Sequence, residues 1–252
     1  MIDYSKVWLT LELTNHCNRT CPMCQQHNSS LYKRGYMDFK LVKSLVDWMI
    51  QTKTRLSNLD PFFRGESLLH PQFAEIIDYI REKSKQNFPL FEFMVLHTNG
   101  ELLNERNAEA ILRFDDQTVF KHPGNLFFSI DAATKQTYDI VRPGGDFNKV
   151  VNNIKNFVML REQKHQYGPS IVFQFIIQKQ NRHEAKAFLN YWSNFLKSEG
   201  IEFSVDRSLG ADIGEVKRTN IFFRRLQHSM KYIKENIEMQ REVMEDLGLV
   251  GK

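Results

Sequence analysis

The strongest restriction on the fold is an alternation: short runs rich in β-branched and apolar residues are separated by longer stretches of helical periodicity. Val7 to Leu13 reads as a first strand. Asp38 is placed to N-cap a helix over Phe39 to Thr52, whose Leu41, Val42, Leu45, Val46 and Met49 share one face. A second strand is predicted over Leu59 to Phe63, then a helix from Pro71, a residue suited to a first turn, to Lys85. The pattern repeats with a strand over Phe91 to His97 and a helix over Asn104 to Arg113. A strand over Leu126 to Asp131 is followed by a helix over Phe147 to Gln163. A fifth pair covers Ile171 to Ile177 and His183 to Ser198, and Ile201 to Asp206 is a sixth strand. Beyond it, Phe222, Leu226, Met230, Ile233 and Ile237 are spaced by 4, 4, 3 and 4 residues, which predicts one long amphipathic helix from Thr219 to Leu247. Successive strand–helix units imply an α/β fold around a parallel sheet, closed or open, in a single domain.

Composition excludes several classes. With 42% apolar and 25% charged residues in a chain of 252, a sizeable core can form without disulfides, and wholesale disorder is not expected. A net charge of +4 is too mild to require nucleic acid or an anionic membrane as partner. No apolar run approaches the roughly 20 residues of a membrane span. The first residues lack a basic segment followed by an apolar stretch, so a cytoplasmic location is expected. Near the C-terminus Arg218, Arg224, Arg225, Lys231 and Lys234 are interleaved with Glu235, Glu238 and Glu242, which reads as a solvated helix face.

The three cysteines, Cys17, Cys21 and Cys24, lie together just after the first strand. An odd count in a reducing compartment argues against disulfides. Clustered soft ligands argue for a metal, and a loop leaving a strand allows them to converge. Two metals compete on this evidence. Zinc takes four ligands in a closed site, which His16 or His27 would complete. An iron–sulfur cube bound by three thiolates would keep one iron open to a further ligand.

The stretch Cys17-Asn18-Arg19-Thr20-Cys21-Pro22-Met23-Cys24 resembles the signature of the radical S-adenosylmethionine enzymes. The resemblance implies a 4Fe–4S cluster on the three cysteines, with S-adenosylmethionine chelating the fourth iron and Met23 bordering its adenine. It implies a partial (β/α)6 TIM-like parallel barrel, here residues 1–217, with residues 218–252 as a C-terminal amphipathic helical extension. Chemistry in such barrels sits at the C-terminal ends of the strands, and further matches fall there. Arg64-Gly65-Glu66-Ser67 resembles the family's Gly-Glu-Pro segment, with Ser67 in place of proline, and implies that Glu66 accepts hydrogen bonds from the cofactor ammonium. An ordinary loop glutamate is the alternative. Thr98-Asn99-Gly100 matches after the third strand, although Asn-Gly alone is also a turn signal.

Ser129 and Asp131 end the fourth strand two residues apart, hence on one face. The resemblance gives them ribose hydroxyls or the methionyl end of the cofactor, while Asp131 also suits a helix N-cap. Tyr138-Asp139-Ile140-Val141-Arg142-Pro143-Gly144-Gly145 resembles a segment of the subgroup with SPASM or twitch extensions. There Arg142 is either a partner of the cofactor carboxylate or half of a structural ion pair. Gln174, Gln178, Asp206 and Arg207 are further candidates at strand ends, or ordinary polar ends. His70 and His97 read as structural.

The subgroup continues into a second cysteine-rich region, which has no counterpart after Cys24. A single cluster is therefore expected, and a protein thiol cannot return hydrogen to a substrate radical. The implied function is hydrogen abstraction from a peptide or sugar-like metabolite, with an electron donor such as flavodoxin or ferredoxin. The competing readings are a zinc-binding module without activity and an inactive remnant of the fold acting with a partner. Metal analysis separates the first two: anaerobically reconstituted protein is expected to be brown, with about four irons per chain and little zinc. Stoichiometric zinc in a colourless protein would exclude the cluster.

Overall fold

Extended and helical segments follow one another largely where the periodicity places them. The computed structural model of the chain describes residues 6–24, 33–164, 168–210, 212–214, 216–227 and 232–250. His27, Met230 and Lys231 lie outside the described residues. In chain order the elements are β1 (Trp8–Thr10), α1 (Phe39–Gln51), β2 (Leu56–Asp60), α2 (Phe73–Gln86), β3 (Phe91–Thr98), α3 (Glu105–Leu112), β4 (Asn125–Ser129), α4 (Lys135–Val141) and α5 (Phe147–Gln163). They continue with β5 (Ser170–Ile177), α6 (Ala185–Ser198), β6 (Ser204–Val205), β7 (Thr219–Arg225) and α7 (Ile233–Asp246). The architecture is α/β with a parallel seven-stranded sheet in the order β1-β2-β3-β4-β5-β7-β6. Among the described residues no helix is long and apolar enough to cross a membrane.

The chain divides into two compact units. The first comprises Met1–Asn18, Ser30–Leu126 and Val151–Pro169. Within it β1 pairs in parallel with β2, Leu9 opposite Leu59, and β2 with β3, Leu59 opposite Met94. Asp38 caps α1 by accepting from the Lys40 N–H, as the sequence predicts, and Val42, Val46 and Met49 are buried beneath that helix. Ile76, Ile77 and Ile80 bury one face of α2. Each such side chain contributes roughly 1.5–3 kcal/mol on burial.

The second unit comprises Arg19–Ser29, Phe127–Val150 and Ser170–Lys252. Here β7 lies between β5 and β6 and is parallel to both, with Phe175 opposite Phe223 and Val205 opposite Ile221. Its core is aromatic. Trp192 of α6 lies 4.5 Å from Phe173, Phe175 lies 5.0 Å from Phe188, and Phe188 lies 6.0 Å from Phe223, measured between ring centroids.

Three expectations are corrected. The long helix predicted from Thr219 begins only at Ile233, because Thr219–Arg225 is strand β7. That run is rich in β-branched and aromatic residues, and a neighbour on each side satisfies its backbone. Arg224 and Arg225 therefore lie on a strand within the sheet, not on a solvated helix face. The fourth strand ends at Ser129, two residues short of Asp131. A seven-residue helix, α4, which the sequence reading omitted, intervenes before α5.

Trp192 is 1% exposed and touches four aromatic side chains, Phe173, Phe188, Tyr191 and Phe195, so its removal leaves a large void. Trp192→Ala is expected to cost about 3–5 kcal/mol in urea unfolding with an unchanged slope.

Candidate active site

In the first unit the segment after β2 is fastened to the loop after β1. A Cβ on Gly65 would stand 2.2 Å from the Thr14 carbonyl oxygen and 2.5 Å from that of His16. Only glycine lets these two backbones approach so closely. The Glu66 N–H donates to the His16 carbonyl at 2.8 Å, immediately before Cys17. Ser67, which replaces the family's proline, donates its hydroxyl to the Pro61 carbonyl at 2.6 Å and is buried. The turn is thus closed by a side chain instead of by a ring.

Glu66 itself is 3% exposed. Its Oε1 accepts from the Thr98 hydroxyl at 2.9 Å and the Leu68 N–H at 3.2 Å, and its Oε2 accepts from the Asn99 N–H at 2.8 Å. These three donors fix the direction of both carboxylate oxygens. The Asn99 side chain donates to Asn18 Oδ1 at 2.8 Å, and Asn18 donates to Glu101 at 3.0 Å. The Thr-Asn-Gly turn therefore steadies the residue that follows Cys17, a link that spacing along the chain does not reveal. His16 stacks on Tyr36, and His70 bonds the Met37 carbonyl and the Gln72 N–H, which gives His70 the structural role expected of it.

In the second unit Asp131 and Arg142 find each other. Asp131 is fully buried; its Oδ2 accepts from Arg142 Nε at 2.7 Å and from Nη2, and its Oδ1 from the Ile176 N–H at 2.6 Å. Burial pushes the Asp131 carboxyl up and Arg142 draws it down; donors on both oxygens mark it as the ionised half of a buried pair. Asp131 has a φ of 59°, so it leaves the strand direction and does not share a face with Ser129 as alternation predicts. Arg142 Nη1 stands 3.9 Å from Cys21 Sγ. Burial pushes the Cys21 thiol up, and Arg142 opposes that shift. Arg19 belongs to the same set: it donates to the Gly144 carbonyl at 2.9 Å, over Gly145, where a Cβ would meet the guanidinium at 2.7 Å.

The helix between Asp131 and Arg142 is held from a distance in sequence. Glu184 Oε2 accepts from the Ala133 N–H at 2.7 Å and the Thr134 N–H at 3.2 Å. Its Oε1 accepts from the hydroxyls of Thr134 at 2.5 Å and Thr137 at 2.8 Å. Asn181 donates to the Asp131 carbonyl at 2.9 Å. Ser129 Oγ accepts from Gln174 at 3.4 Å. Met23 and Pro22 border a cavity of about 340 Å³ together with Gln178, Leu226, Asn236 and Met239. Asp206 instead organises its own loop, accepting from the Ser208 and Gly214 N–H groups.

Residues 11–190, a range that includes the three cysteines and Glu66, match the family model of the Radical SAM superfamily. The chain belongs to the radical SAM superfamily. It is 27% identical over 192 residues to the tungsten-containing aldehyde ferredoxin oxidoreductase cofactor-modifying protein of Pyrococcus furiosus, a match covering 74% of this chain and 48% of that protein. Native anSMEcpe with bound S-adenosylmethionine shares the fold with a TM-score of 0.58 at 18% identity, covering 95% of this chain and 59% of that one. Streptococcus suis SuiB bound to its precursor peptide SuiA gives 0.55 at 11% identity, covering 96% and 47%. The chain spans about half the length, or less, of the curated relatives it matches.

Membership implies a 4Fe–4S cluster and S-adenosylmethionine, and the donor set fits the cluster. None of the three thiols is in a disulfide, and Arg142 and Arg19 both act on Cys21 in the sense that favours its thiolate. Among the described residues no three His, Cys, Asp or Glu side chains gather closely enough to hold a single ion. A cubane takes each thiolate at a different iron, so it does not require that closeness. Gly65→Ala is expected to force apart the two backbones and to lower the iron retained after reconstitution. The overpacking should cost about 1–3 kcal/mol in stability. Normal iron content with a closed turn would show that the contact does not position the cysteine loop.

Proposed function

We propose that the chain is a radical SAM enzyme that cleaves S-adenosylmethionine reductively and abstracts hydrogen from a peptide or sugar-like metabolite. The observation that carries this reading is Glu66, a buried carboxylate oriented by Thr98 and the Asn99 N–H in the segment fastened to the cysteine loop. Cys17, Cys21 and Cys24 would hold one 4Fe–4S cluster. When bound, cluster and cofactor supply a 5′-deoxyadenosyl radical after one electron from a donor such as flavodoxin or ferredoxin. Glu66 receives the cofactor ammonium, and Gly65 and Asn99 keep it in place. Arg142, oriented by Asp131, sets a fixed positive charge beside Cys21 and favours its thiolate over the thiol. The Ser129 hydroxyl is available to the polar end of the cofactor. Met23, Leu226 and Met239 give the cavity apolar walls and Gln178 and Asn236 give it amides, a combination that suits a purine. The peptide-bound SuiB structure supports a peptide as one substrate class.

Glu66→Gln is expected to weaken S-adenosylmethionine binding by roughly 1.5–3 kcal/mol, the worth of a hydrogen bond to a charged group, while iron content stays at the wild-type level. Loss of iron with normal cofactor affinity would show that Glu66 serves the cluster and not the cofactor. Under strong reductant the wild-type protein should release 5′-deoxyadenosine slowly without substrate, and a Cys17→Ala/Cys21→Ala/Cys24→Ala variant should release none. A full cluster with no cleavage would favour an inactive remnant of the fold.

A further inference from the structure

Among the described residues Arg224, on β7 of the second unit, has no carboxylate within ion-pair distance. Successive residues of a strand leave opposite faces. Phe173, Phe175 and Phe223 pack with Trp192 and Phe188 of α6, and Phe128 packs on Phe173. Their neighbours Gln174, Arg224 and Ser129 therefore share the face turned away from that helix. Along it, Arg224 Nη1 donates to Gln174 Oε1 at 3.4 Å, and Gln174 donates to Ser129 Oγ at 3.4 Å. Arg224 Nη2 donates to Gln227 Oε1 at 3.2 Å.

Both acceptors are long, neutral amide contacts. Among the described residues no carboxylate lies within ion-pair distance of Arg224, and Asp212 and Asp131 act on it only from farther away. Asp131 is already occupied by Arg142 and the Ile176 N–H. Burial draws the Arg224 pKa down, as for a cation whose lost hydration is not replaced. A guanidinium has more donors than these two contacts use, in a planar fork that matches a carboxylate. An arrangement that destabilises the free protein in this way is characteristic of a binding residue.

We propose that Arg224 is a carboxylate-binding residue, presenting its fork beside Ser129 and Gln174 to the methionyl carboxylate of S-adenosylmethionine or to a carboxylate of the substrate. The identity of the ligand rests on the radical SAM reading; the anion preference does not. Arg142, whose Nε and Nη2 already serve Asp131, leaves this role to Arg224.

The test compares wild type, Arg224→Gln and Arg224→Lys in two measurements. In the first, cluster-loaded protein is titrated anaerobically with S-adenosylmethionine and with its decarboxylated analogue. In the second, protein labelled with ¹⁵N-arginine is titrated with acetate, with and without S-adenosylmethionine, and the Arg224 Nε–H resonance is followed. If the cofactor is the source, decarboxylation weakens wild-type binding roughly tenfold to hundredfold. Arg224→Gln then binds both compounds alike, and S-adenosylmethionine blocks the acetate shift. If the substrate is the source, acetate still moves the Arg224 resonance in the cofactor-loaded protein. Arg224→Lys should fall between the other two, since an ammonium lacks the fork. Without ligand, Arg224→Gln should unfold at or above the wild-type temperature.

A lower melting temperature for Arg224→Gln would make the arginine structural and overturn the proposal. So would an unmoved resonance in acetate together with an unchanged preference for the carboxylated cofactor in Arg224→Gln. Failure of the radical SAM reading looks different: no variant binds either nucleoside, while the acetate titration of cluster-free protein still reports on Arg224.

Discussion

A carboxylate as deeply buried as Asp131 is tolerated only with a partner, because leaving such a charge unpaired costs on the order of 3–5 kcal/mol. Arg142 provides that partner through Nε and Nη2, and much of the second unit is arranged around the contact. The pairing sets the last turn of α4, where Arg142 closes the helix on the Tyr138 carbonyl. It engages the end of β5 through the Ile176 N–H and leaves Nη1 of the same guanidinium beside Cys21. Asp131 has a positive φ, a conformation that costs aspartate less than most side chains because its short carboxylate can bond locally. Arg224 completes the picture by contrast. Two arginines act on one carboxylate, only one of them is bound to it, and the other keeps its charge available.

The first unit solves its positioning problem with backbone instead of charge. Gly65 lets two chain segments touch, and Glu66 N–H, Thr98 and Asn99 tie the segments after β2 and β3 to each other and to the residues around Cys17. The donors to Glu66 among these contacts, the Thr98 hydroxyl and the Leu68 and Asn99 N–H groups, set the direction of its carboxylate. This differs in kind from the saturated ion pair of the second unit. Asp131 holds its cation within the fold, whereas Glu66 accepts from hydroxyl and backbone donors.

Much of this was legible in the sequence, and the failures have physical causes. The bounds of α5 and the Asp38 cap were predicted because their signals are local: a periodic stripe and a short polar side chain before it. The cysteine spacing and the Gly-Glu segment were legible because chemistry fixes residue type at fixed intervals. Strand β7 was missed because Phe222 and Leu226 happen to be four apart, and a strand whose first five residues are buried on both faces lacks the apolar–polar alternation that would have marked it. That error placed Arg224 on a solvated face and hid its significance. The Asp131–Arg142 contact was left as one of two alternatives, since whether an arginine meets a ligand or a neighbouring carboxylate depends on a helix the periodicity did not show.

That helix, α4, has a consequence in time as well as in space. Seven residues are too few to persist as an isolated helix in water, because nucleation outweighs the bonds so short a segment can form. Its first turn draws its hydrogen bonds from Glu184, about fifty residues further along the chain. As the polypeptide is made from its N-terminus, the three cysteines emerge long before Arg142 can be held in position. An early nascent chain thus exposes thiols without the cation that stands beside Cys21. The electrostatic setting of the cysteine loop becomes complete only once the connection between β5 and α6 has folded back onto the start of α4.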